Sequence, residues 1–188
     1  MARLISITDA AEHLRSSNRI LVIGCSGSGK STLSQALAGR LELPYVSMDR
    51  EVFWLPGWQQ RPREEMVQRI SEIVARLRWI MDGTNPSTLP LRLPRTDLVI
   101  WMRPPRWVSL YGVFSRAIRY RGLSRPEMAE GCPERVSLEF LRYVWNFENS
   151  AAPRIEAQLA AFPVEIPVLV LKSHAESRRL LAILDRGH

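Results

Sequence analysis

Residues 24–32 read Gly-Cys-Ser-Gly-Ser-Gly-Lys-Ser-Thr and fit the Walker A pattern GxxxxGK[ST]. An apolar run at 19–23 precedes them and predicts a buried strand, and residues 31–41 follow with leucines at helical spacing. Glycines between a strand and a helix let consecutive backbone N–H groups point at phosphate oxygens, and the helix N-terminus adds its dipole. The alternative is a glycine-rich turn that fits by chance. The segment predicts a loop that binds nucleotide phosphates.

Two residues of this loop are expected to have separate roles. Lys30 is expected to reach the β- and γ-phosphates, and Ser31 is expected to offer its hydroxyl to Mg²⁺. The candidate nucleotide-binding residues of the loop are Gly24, Ser26, Gly27, Ser28, Gly29, Lys30, Ser31 and Thr32. The chain lacks the NKxD tetrapeptide that reads guanine in signalling GTPases, and it is too short for a large mechanical ATPase. A small-molecule kinase is the class that remains.

Strand-like and helix-like segments alternate along the rest of the chain. Apolar runs at 19–23, 44–48, 79–82, 97–102 and 167–172 predict five strands. Helical spacing covers 31–41, 62–77, 105–120, 137–162 (with a potential break at Pro153) and 174–184, and a first short helix starts at Asp9. This alternation predicts an α/β fold of three layers, with a parallel sheet covered on both faces. Ligands of such sheets lie beyond the carboxyl ends of the strands.

Composition limits the class of protein. A chain of 188 residues with 46% hydrophobic and 24% charged residues predicts one globular domain. Cys25 and Cys132 form no CxxC pair, and the three histidines give no zinc spacing. No apolar run approaches the ~20 residues of a membrane span, and no signal segment is visible, so we expect a cytoplasmic protein. The net charge of +7 favours an anionic partner without distinguishing nucleotide, nucleic acid and lipid surface.

Two aspartates follow predicted strands. Asp82 ends the run at 79–82, where a carboxylate facing the phosphate loop would support Mg²⁺ in its second shell. Asp49 follows the run at 44–48 and could take a proton from an acceptor hydroxyl or hold a substrate group. For both residues the alternative is a capping or turn role.

Three aromatic residues come directly after Asp49. Phe53, Trp54 and Trp58 lie in a segment with Pro56 and Gly57, just beyond a strand end. Such a cluster is typical either of a wall for a planar or apolar part of a substrate or of a hydrophobic plug under a loop. The sequence leaves these two interpretations open.

Arginines surround a segment punctuated by glycine and proline at 122–133. Arg116 and Arg119 precede it, Arg121 adjoins it, and Arg125 lies within it. Phosphoryl transfer requires cations over the moving group, and a mobile lid that carries arginines could supply them while it excludes water. The alternative is a solvated basic helix face.

Taken together, these motifs resemble the topology modulation protein family, an adenylate-kinase-like branch of the P-loop kinases. The resemblance covers nearly all of the chain after residue 18. The motifs that carry it are GCSGSGKSTL at 24–33, MDREVFWLPGW at 48–58, WIMDGTNPSTLPLRL at 79–93, RYRGLSRPEMAEGCPE at 119–134, FLRYVWNF at 140–147 and LVLKS at 169–173. It implies five parallel strands in the order 2-3-1-4-5 and a short helical lid at 119–135. We expect one domain over 1–188, in which residues 1–18, outside the match, form a helical extension.

The resemblance also implies roles for individual residues. Asp82 and Gly83 stand where adenylate kinases carry an Asp-Gly pair before their acceptor-binding Pro-Arg, but Thr84-Asn85-Pro86-Ser87 follows here, so the nucleoside-monophosphate signature is missing. Arg92 is a candidate for the missing cation. Asp49 is similar in position to the aspartate that nucleoside and shikimate-type kinases use on the acceptor hydroxyl. Arg119 and Lys172 lie in matching motifs and are expected to contact the nucleotide.

The sequence therefore predicts an ATP- and Mg²⁺-dependent phosphotransferase of the nucleotide or nucleoside kinase type, with an unidentified small acceptor. Its expected catalytic residues are Lys30, Asp49, Asp82, Arg116, Arg119 and Arg121, and its expected substrate residues are Asp49, Phe53, Trp54, Trp58, Arg92 and Arg125. Two alternatives are a nucleotide-dependent DNA-associated regulator and an ATP-binding protein with slow hydrolysis. Direct DNA binding is less favoured, because the chain has no helix-turn-helix pattern, zinc finger or lysine-rich arm.

Overall fold

The structure, a computed structural model, describes residues 2–186. Its strands are β1 (Ala2–Leu4), β2 (Arg19–Gly24), β3 (Tyr45–Ser47), β4 (Trp54–Leu55), β5 (Gln59–Gln60), β6 (Trp79–Asp82), β7 (Leu98–Met102) and β8 (Ile166–Leu171). Its α-helices are α1 (Ile7–Ser16), α2 (Lys30–Leu41), α3 (Arg63–Val74), α4 (Leu89–Arg92), α5 (Arg106–Arg119), α6 (Leu138–Ala161) and α7 (His174–Asp185). A π-helical turn covers Asp49–Phe53.

Six strands form one parallel sheet in the order β1-β8-β7-β2-β6-β3. The five predicted strands are present and keep their expected relative order, but the predicted count was wrong. The sixth strand, β1, adds to the edge at β8, with Ala2 opposite Ile166. Three residues are too short to show a period of two, so the sequence pattern gave no sign of this strand.

The first helix begins earlier than its sequence pattern suggested. Ser6 is the N-cap: the Asp9 backbone N–H donates to the Ser6 hydroxyl, and the Ser6 backbone N–H donates to the Asp9 carboxylate. Asp9 is therefore the third helical residue of a capping box and not the cap itself. The segment 1–18 was expected to be a helical extension. Its described part, residues 2–18, contributes both a strand and a helix to the main body.

The inner strands bury both of their faces. In β2, Leu21 and Ile23 belong to an apolar cluster with α3, α5 and α6, while Ile20 and Val22 belong to a second cluster with α1, α2 and α7. Because successive strand residues point to opposite faces, this alternation gives the predicted three layers of helix, sheet and helix. Truncation of a buried leucine such as Leu21 to alanine should cost about 2–5 kcal/mol of stability.

Two helical expectations differ from the structure. Helix α6 runs unbroken over 24 residues through Pro153. Residues 120–137 contain no helix, only two isolated bridges, Arg121 with Glu134 and Ser124 with Pro133, so the expected helical lid is an irregular segment. Within residues 2–186, no helix is both long and apolar enough to cross a membrane.

Candidate active site

Helix α5 packs directly against the loop at 24–29, and two glycines permit this approach. Gly27 has φ of 78°, and a Cβ there would lie 2.1 Å from the carbonyl oxygen of Ser109. On α5, a Cβ at Gly112 would lie 2.2 Å from the carbonyl oxygen of Gly27. Larger side chains at either position would force the backbone apart. The contact fixes α5 beside the loop and brings Arg116, one turn further on, to the same site.

The loop ends at the N-terminus of α2, which has no side-chain cap. Gly29 occupies the N-cap position in the left-handed conformation. The first N–H groups of a helix lack intrahelical partners, and together with the helix dipole they favour an anion. The arrangement has the chemistry of a phosphate-binding loop.

Two side chains that the sequence patterns did not single out hold this loop in place. The Thr84 hydroxyl accepts from the Gly24 N–H at 2.6 Å and donates to the Gly24 carbonyl at 2.7 Å. His174 Nε2 lies 3.0 Å from the Ser28 carbonyl oxygen. Their partners are 60 and 146 residues away in sequence. Position just after β6 is the one signal that could have identified Thr84.

Asp82 lies at the buried end of β6, beside the loop. Burial raises the pKa of its carboxyl, and the nearby Asp49 carboxylate raises it further, while Lys30 and Ser31 act in the opposite direction. The predicted neighbours Lys30, Ser31 and Asp82 are thus in electrostatic contact. The Oδ2 atom of Asp82 is buried and has no hydrogen-bond partner among the described residues.

This donor set fits Mg²⁺. The ion prefers oxygen ligands and usually keeps several waters, so one or two protein oxygens and the phosphates of the substrate suffice. A carboxylate oxygen without a partner next to a serine hydroxyl supplies such groups, directly or through water. Ser31 and Asp82 are the residues that would hold it.

One cavity of about 670 Å³ connects the phosphate loop with the predicted substrate residues. Ser26 and Lys30 line it together with Asp49. The other predicted residues that line it are Gly24, Phe53, Trp54, Trp58, Arg116 and Arg125. Asn85, Glu134, Phe140 and Tyr143 also line it but did not figure among the predicted site residues.

Both interpretations of the aromatic segment describe its geometry. The rings of Trp54 and Trp58 meet edge to face with centroids 5.3 Å apart, and both line the cavity. The same two residues also pack on a buried cluster of Met128, Ala129 and Cys132. The aromatic segment is therefore a cavity wall on one side and a plug under residues 120–137 on the other.

A buried carboxylate pairs with two of the three arginines that line the cavity. Arg116 Nε donates to Glu134 at 2.8 Å, and Arg125 Nε lies 2.5 Å from the other oxygen of the same carboxylate. The Glu134 side chain is 2% exposed. Burial, and then the neighbouring Arg125, lower the pKa of Arg116. One nitrogen of Arg116 also lies 3.4 Å from the Ser26 hydroxyl, which links this cluster to the phosphate loop.

Ten predicted residues do not line this cavity. Six of them belong to the phosphate-loop segment or lie beside it, namely Gly27, Ser28, Gly29, Ser31, Thr32 and Asp82, and the other four lie elsewhere. Arg119 and Arg121 are exposed and do not line it. Arg92 is fully buried and donates to the carbonyl oxygens of Gly83 at 2.8 Å and Asn85 at 3.0 Å. It supports the loop after β6 from beneath, so the structure does not place it as a cation for an acceptor. Lys172 lines a different cavity.

Residues 120–137 are docked against the segment after β3. The Ser47 hydroxyl donates to the Glu127 carbonyl at 2.6 Å, and the Gly57 N–H donates to the Gly131 carbonyl at 3.0 Å. The indole N–H of Trp58 donates to the Pro133 carbonyl at 3.0 Å. These contacts close the segment over the aromatic wall of the cavity.

The fold is similar to that of several solved kinases. Shikimate kinase from Acinetobacter baumannii in complex with shikimate aligns over 94% of this chain and 96% of its own, with a TM-score of 0.53 and 15% identity. A gluconokinase from Sinorhizobium meliloti 1021 aligns over 90% of this chain and 92% of its own, with a TM-score of 0.50 and 18% identity. Deoxyadenosine kinase from M. mycoides with bound dATP aligns over 90% of this chain and 98% of its own, with a TM-score of 0.53 and 14% identity.

Neither a protein family nor a curated protein sequence matches the chain. At such low identities a structural likeness establishes the fold alone. The likeness extends over at least 90% of this chain in each of the three alignments. The chain has the α/β fold of the P-loop kinases.

Proposed function

We propose that this protein is an ATP- and Mg²⁺-dependent phosphotransferase that moves the γ-phosphoryl group of ATP to the hydroxyl of a small acceptor. One observation carries the proposal: a single cavity is lined by the phosphate-loop residues Ser26 and Lys30 and by the carboxylate Asp49. A phosphate site and a candidate base that share one cavity are what in-line transfer between two bound molecules requires. The resemblance to the topology modulation protein family and the kinase fold support the same class.

The phosphate side of the cavity binds and orients the triphosphate. Backbone N–H groups of the loop and the α2 N-terminus bind phosphate oxygens, and Lys30 neutralises charge on the β- and γ-phosphates. Ser31 and Asp82 are the residues that would hold Mg²⁺, which would supply further charge neutralisation for the phosphates. Arg116 reaches from α5 to Ser26. We expect its guanidinium to stabilise the negative charge that develops on the transferred group.

The acceptor side supplies the base. Asp49 lines the cavity in the π-helical turn directly after β3 and is expected to accept the proton of the acceptor hydroxyl as its oxygen attacks phosphorus. Residues 119–135 act as the lid, and Arg116 and Arg125 carry the role first expected of all four arginines. Arg119 and Arg121 are exposed. We expect them to approach the phosphates only if the lid moves further when nucleotide binds.

Incubation of the protein with labelled ATP, Mg²⁺ and a panel of nucleosides, nucleoside monophosphates and small alcohols tests the proposal. We expect one class of acceptor to become labelled in proportion to the ADP formed, and Asp49→Asn to lower this transfer at least about 100-fold, the lower range for a lost general base. ADP and free phosphate that form at the same slow rate with every acceptor would instead indicate a hydrolase. That result would contradict the proposal.

A further inference from the structure

The charges that line the cavity limit what the acceptor can carry. Four cations line it, Lys30, Arg116, Arg125 and Arg135, and so do three carboxylates, Asp49, Glu134 and Glu139. The proposed function assigns Lys30 and Arg116 to the triphosphate. Excluding those two cations leaves three carboxylates and two arginines for the acceptor.

Both remaining arginines already contact other groups of the cavity. Arg125 has a 9% exposed side chain and is paired with Glu134. The guanidinium of Arg135 lies over the ring of Trp58, 4.6 Å from its centroid. Asp49 and Glu139, by contrast, form no ion pair within residues 2–186. A carboxylate or phosphate on the acceptor would therefore meet two carboxylates without ion pairs. Of the two remaining arginines, the one without an ion pair within residues 2–186 is Arg135, which is stacked on Trp58.

The uncharged part of the lining suits a flat ring. Besides Trp54 and Trp58, the rings of Phe140 and Tyr143 line the cavity, stacked at 21° with centroids 6.3 Å apart. Burial raises the pKa of the Tyr143 hydroxyl to about 12, so it stays protonated at neutral pH. Aromatic faces stack on nucleobases whatever the base, which makes this wall suitable for a planar heterocycle.

The amide of Asn85 adds a means of recognising ring edges. Its Oδ1 already accepts from the Ser87 N–H at 3.1 Å and the Ser87 hydroxyl at 2.7 Å. These bonds orient the side chain, and its NH₂ group remains a potential donor for a ligand in the cavity that Asn85 lines. A neutral donor of this kind matches the acceptor atoms of a nucleobase.

We propose that the acceptor is an uncharged nucleoside, and that the cavity discriminates against nucleoside monophosphates and carboxylic acids. This inference rests on the proposed function. In the transfer, the nucleoside hydroxyl oxygen forms a bond to the γ-phosphorus, and the bond from that phosphorus to the β–γ bridging oxygen breaks. Its electron pair leaves with ADP. The hydroxyl proton passes to Asp49 and then to solvent.

Binding measurements separate this inference from the proposed function. The full chain, saturated with Mg²⁺ and a non-hydrolysable ATP analogue, is titrated calorimetrically with the common nucleosides, with their 5′-monophosphates, and with shikimate and gluconate. We expect at least one nucleoside to bind, its 5′-monophosphate to bind at least tenfold more weakly, and the two acids not to bind. Tighter binding of a monophosphate or an acid, or binding of the ATP analogue with no nucleoside bound, overturns the inference.

Variants test the physical cause. Glu139→Gln removes one unpaired carboxylate and should reduce the preference for the nucleoside over its monophosphate at least threefold. Glu130→Gln is the matched control, because Glu130 is exposed and does not line the cavity. An unchanged preference in Glu139→Gln contradicts the charge argument. A nucleoside that binds as expected but receives no phosphate from ATP contradicts the proposed function and leaves the ligand class established.

Discussion

The Thr84 hydroxyl forms two hydrogen bonds with one residue of the phosphate loop, accepting from the Gly24 N–H and donating to the Gly24 carbonyl. The pair joins the end of β2 to the residue that follows Gly83, so two neighbouring strand ends are fixed relative to each other. A single side chain thus links the first residue of the phosphate loop to the segment after β6.

Substitution of Thr84 tests this link. Thr84→Val keeps the shape and leaves the backbone groups of Gly24 without these partners, which should cost about 1–3 kcal/mol of stability. We expect affinity for MgATP to fall about tenfold, measured by calorimetry, because the loop loses its fixed start. Thr84→Ser retains the hydroxyl and should behave much like the wild type. A loss in Thr84→Ser as large as that in Thr84→Val would contradict the role of the hydroxyl.

The two lysines of the chain form a matched pair of variants. Lys30→Ala should abolish measurable binding of MgATP while circular dichroism stays unchanged, because Lys30 lies on the loop and its charge compensates phosphate. Lys172→Ala should change affinity less than about threefold, since Lys172 lines a different cavity. A large loss in Lys172→Ala would restore the role that the family resemblance gives to this residue. Unchanged affinity in Lys30→Ala would refute the phosphate-loop assignment.

We expect the Asp82 carboxylate to lower the stability of the folded protein at neutral pH and to support activity. Its pKa is raised in the folded state, so the folded protein holds this proton more tightly than the unfolded chain. Stability is therefore full below the unfolded pKa and declines as the pH rises from there through the folded value. At neutral pH, Asp82→Asn should unfold at a higher temperature than wild type without ligand; even about 1 kcal/mol corresponds to roughly 2–4 °C.

The same variant should lose turnover. Without the carboxylate, we expect transfer to fall at least about 100-fold, while affinity for the nucleotide changes much less, because the lost contact acts mainly on the transition state. Thermal scans from pH 4 to 8 and initial rates at saturating ATP give both readouts. Wild-type turnover in Asp82→Asn would make Asp82 a structural residue.

Glu134 should control the order of residues 120–137. Glu134→Gln leaves two buried guanidinium groups without their shared carboxylate, and loss of one partner from a buried ion pair typically costs about 3–5 kcal/mol. We expect amide exchange across 121–134 to accelerate more than exchange in α3. The exposed Glu130→Gln is the control. Equal exchange in both variants would show that packing on Trp54 and Trp58 alone holds the segment.

If residues 119–135 act as a lid, bound nucleotide should change their amide exchange. A non-hydrolysable ATP analogue should slow amide exchange across 119–135 more than in α3, because bound phosphates attract the arginines of the segment. Arg119→Ala should weaken this protection if the exposed arginine moves in on closure. Exchange that is equally slow with and without the analogue would make the segment a rigid insertion.

Local patterns predicted most of the fold and the centre of the site. The phosphate loop is a continuous stretch whose glycines and flanking strand and helix carry their own conformational preferences. The meeting of Lys30, Ser31 and Asp82 followed from one rule of parallel sheets, that the carboxyl ends of neighbouring strands lie at the same edge.

The remaining features depend on contacts between distant segments. Nothing near Glu134 in sequence marks it as the partner of Arg116 and Arg125, and nothing local shows that Arg92 is buried beneath its own loop. The same holds for His174 beside Ser28 and for β1 at the sheet edge. Propensity and periodicity describe a chain's neighbours along the sequence, whereas the burial and pairing of a charge depend on which segments pack together. For this reason the phosphate loop was predictable, whereas the rest of the cavity lining and its electrostatic balance required the tertiary structure.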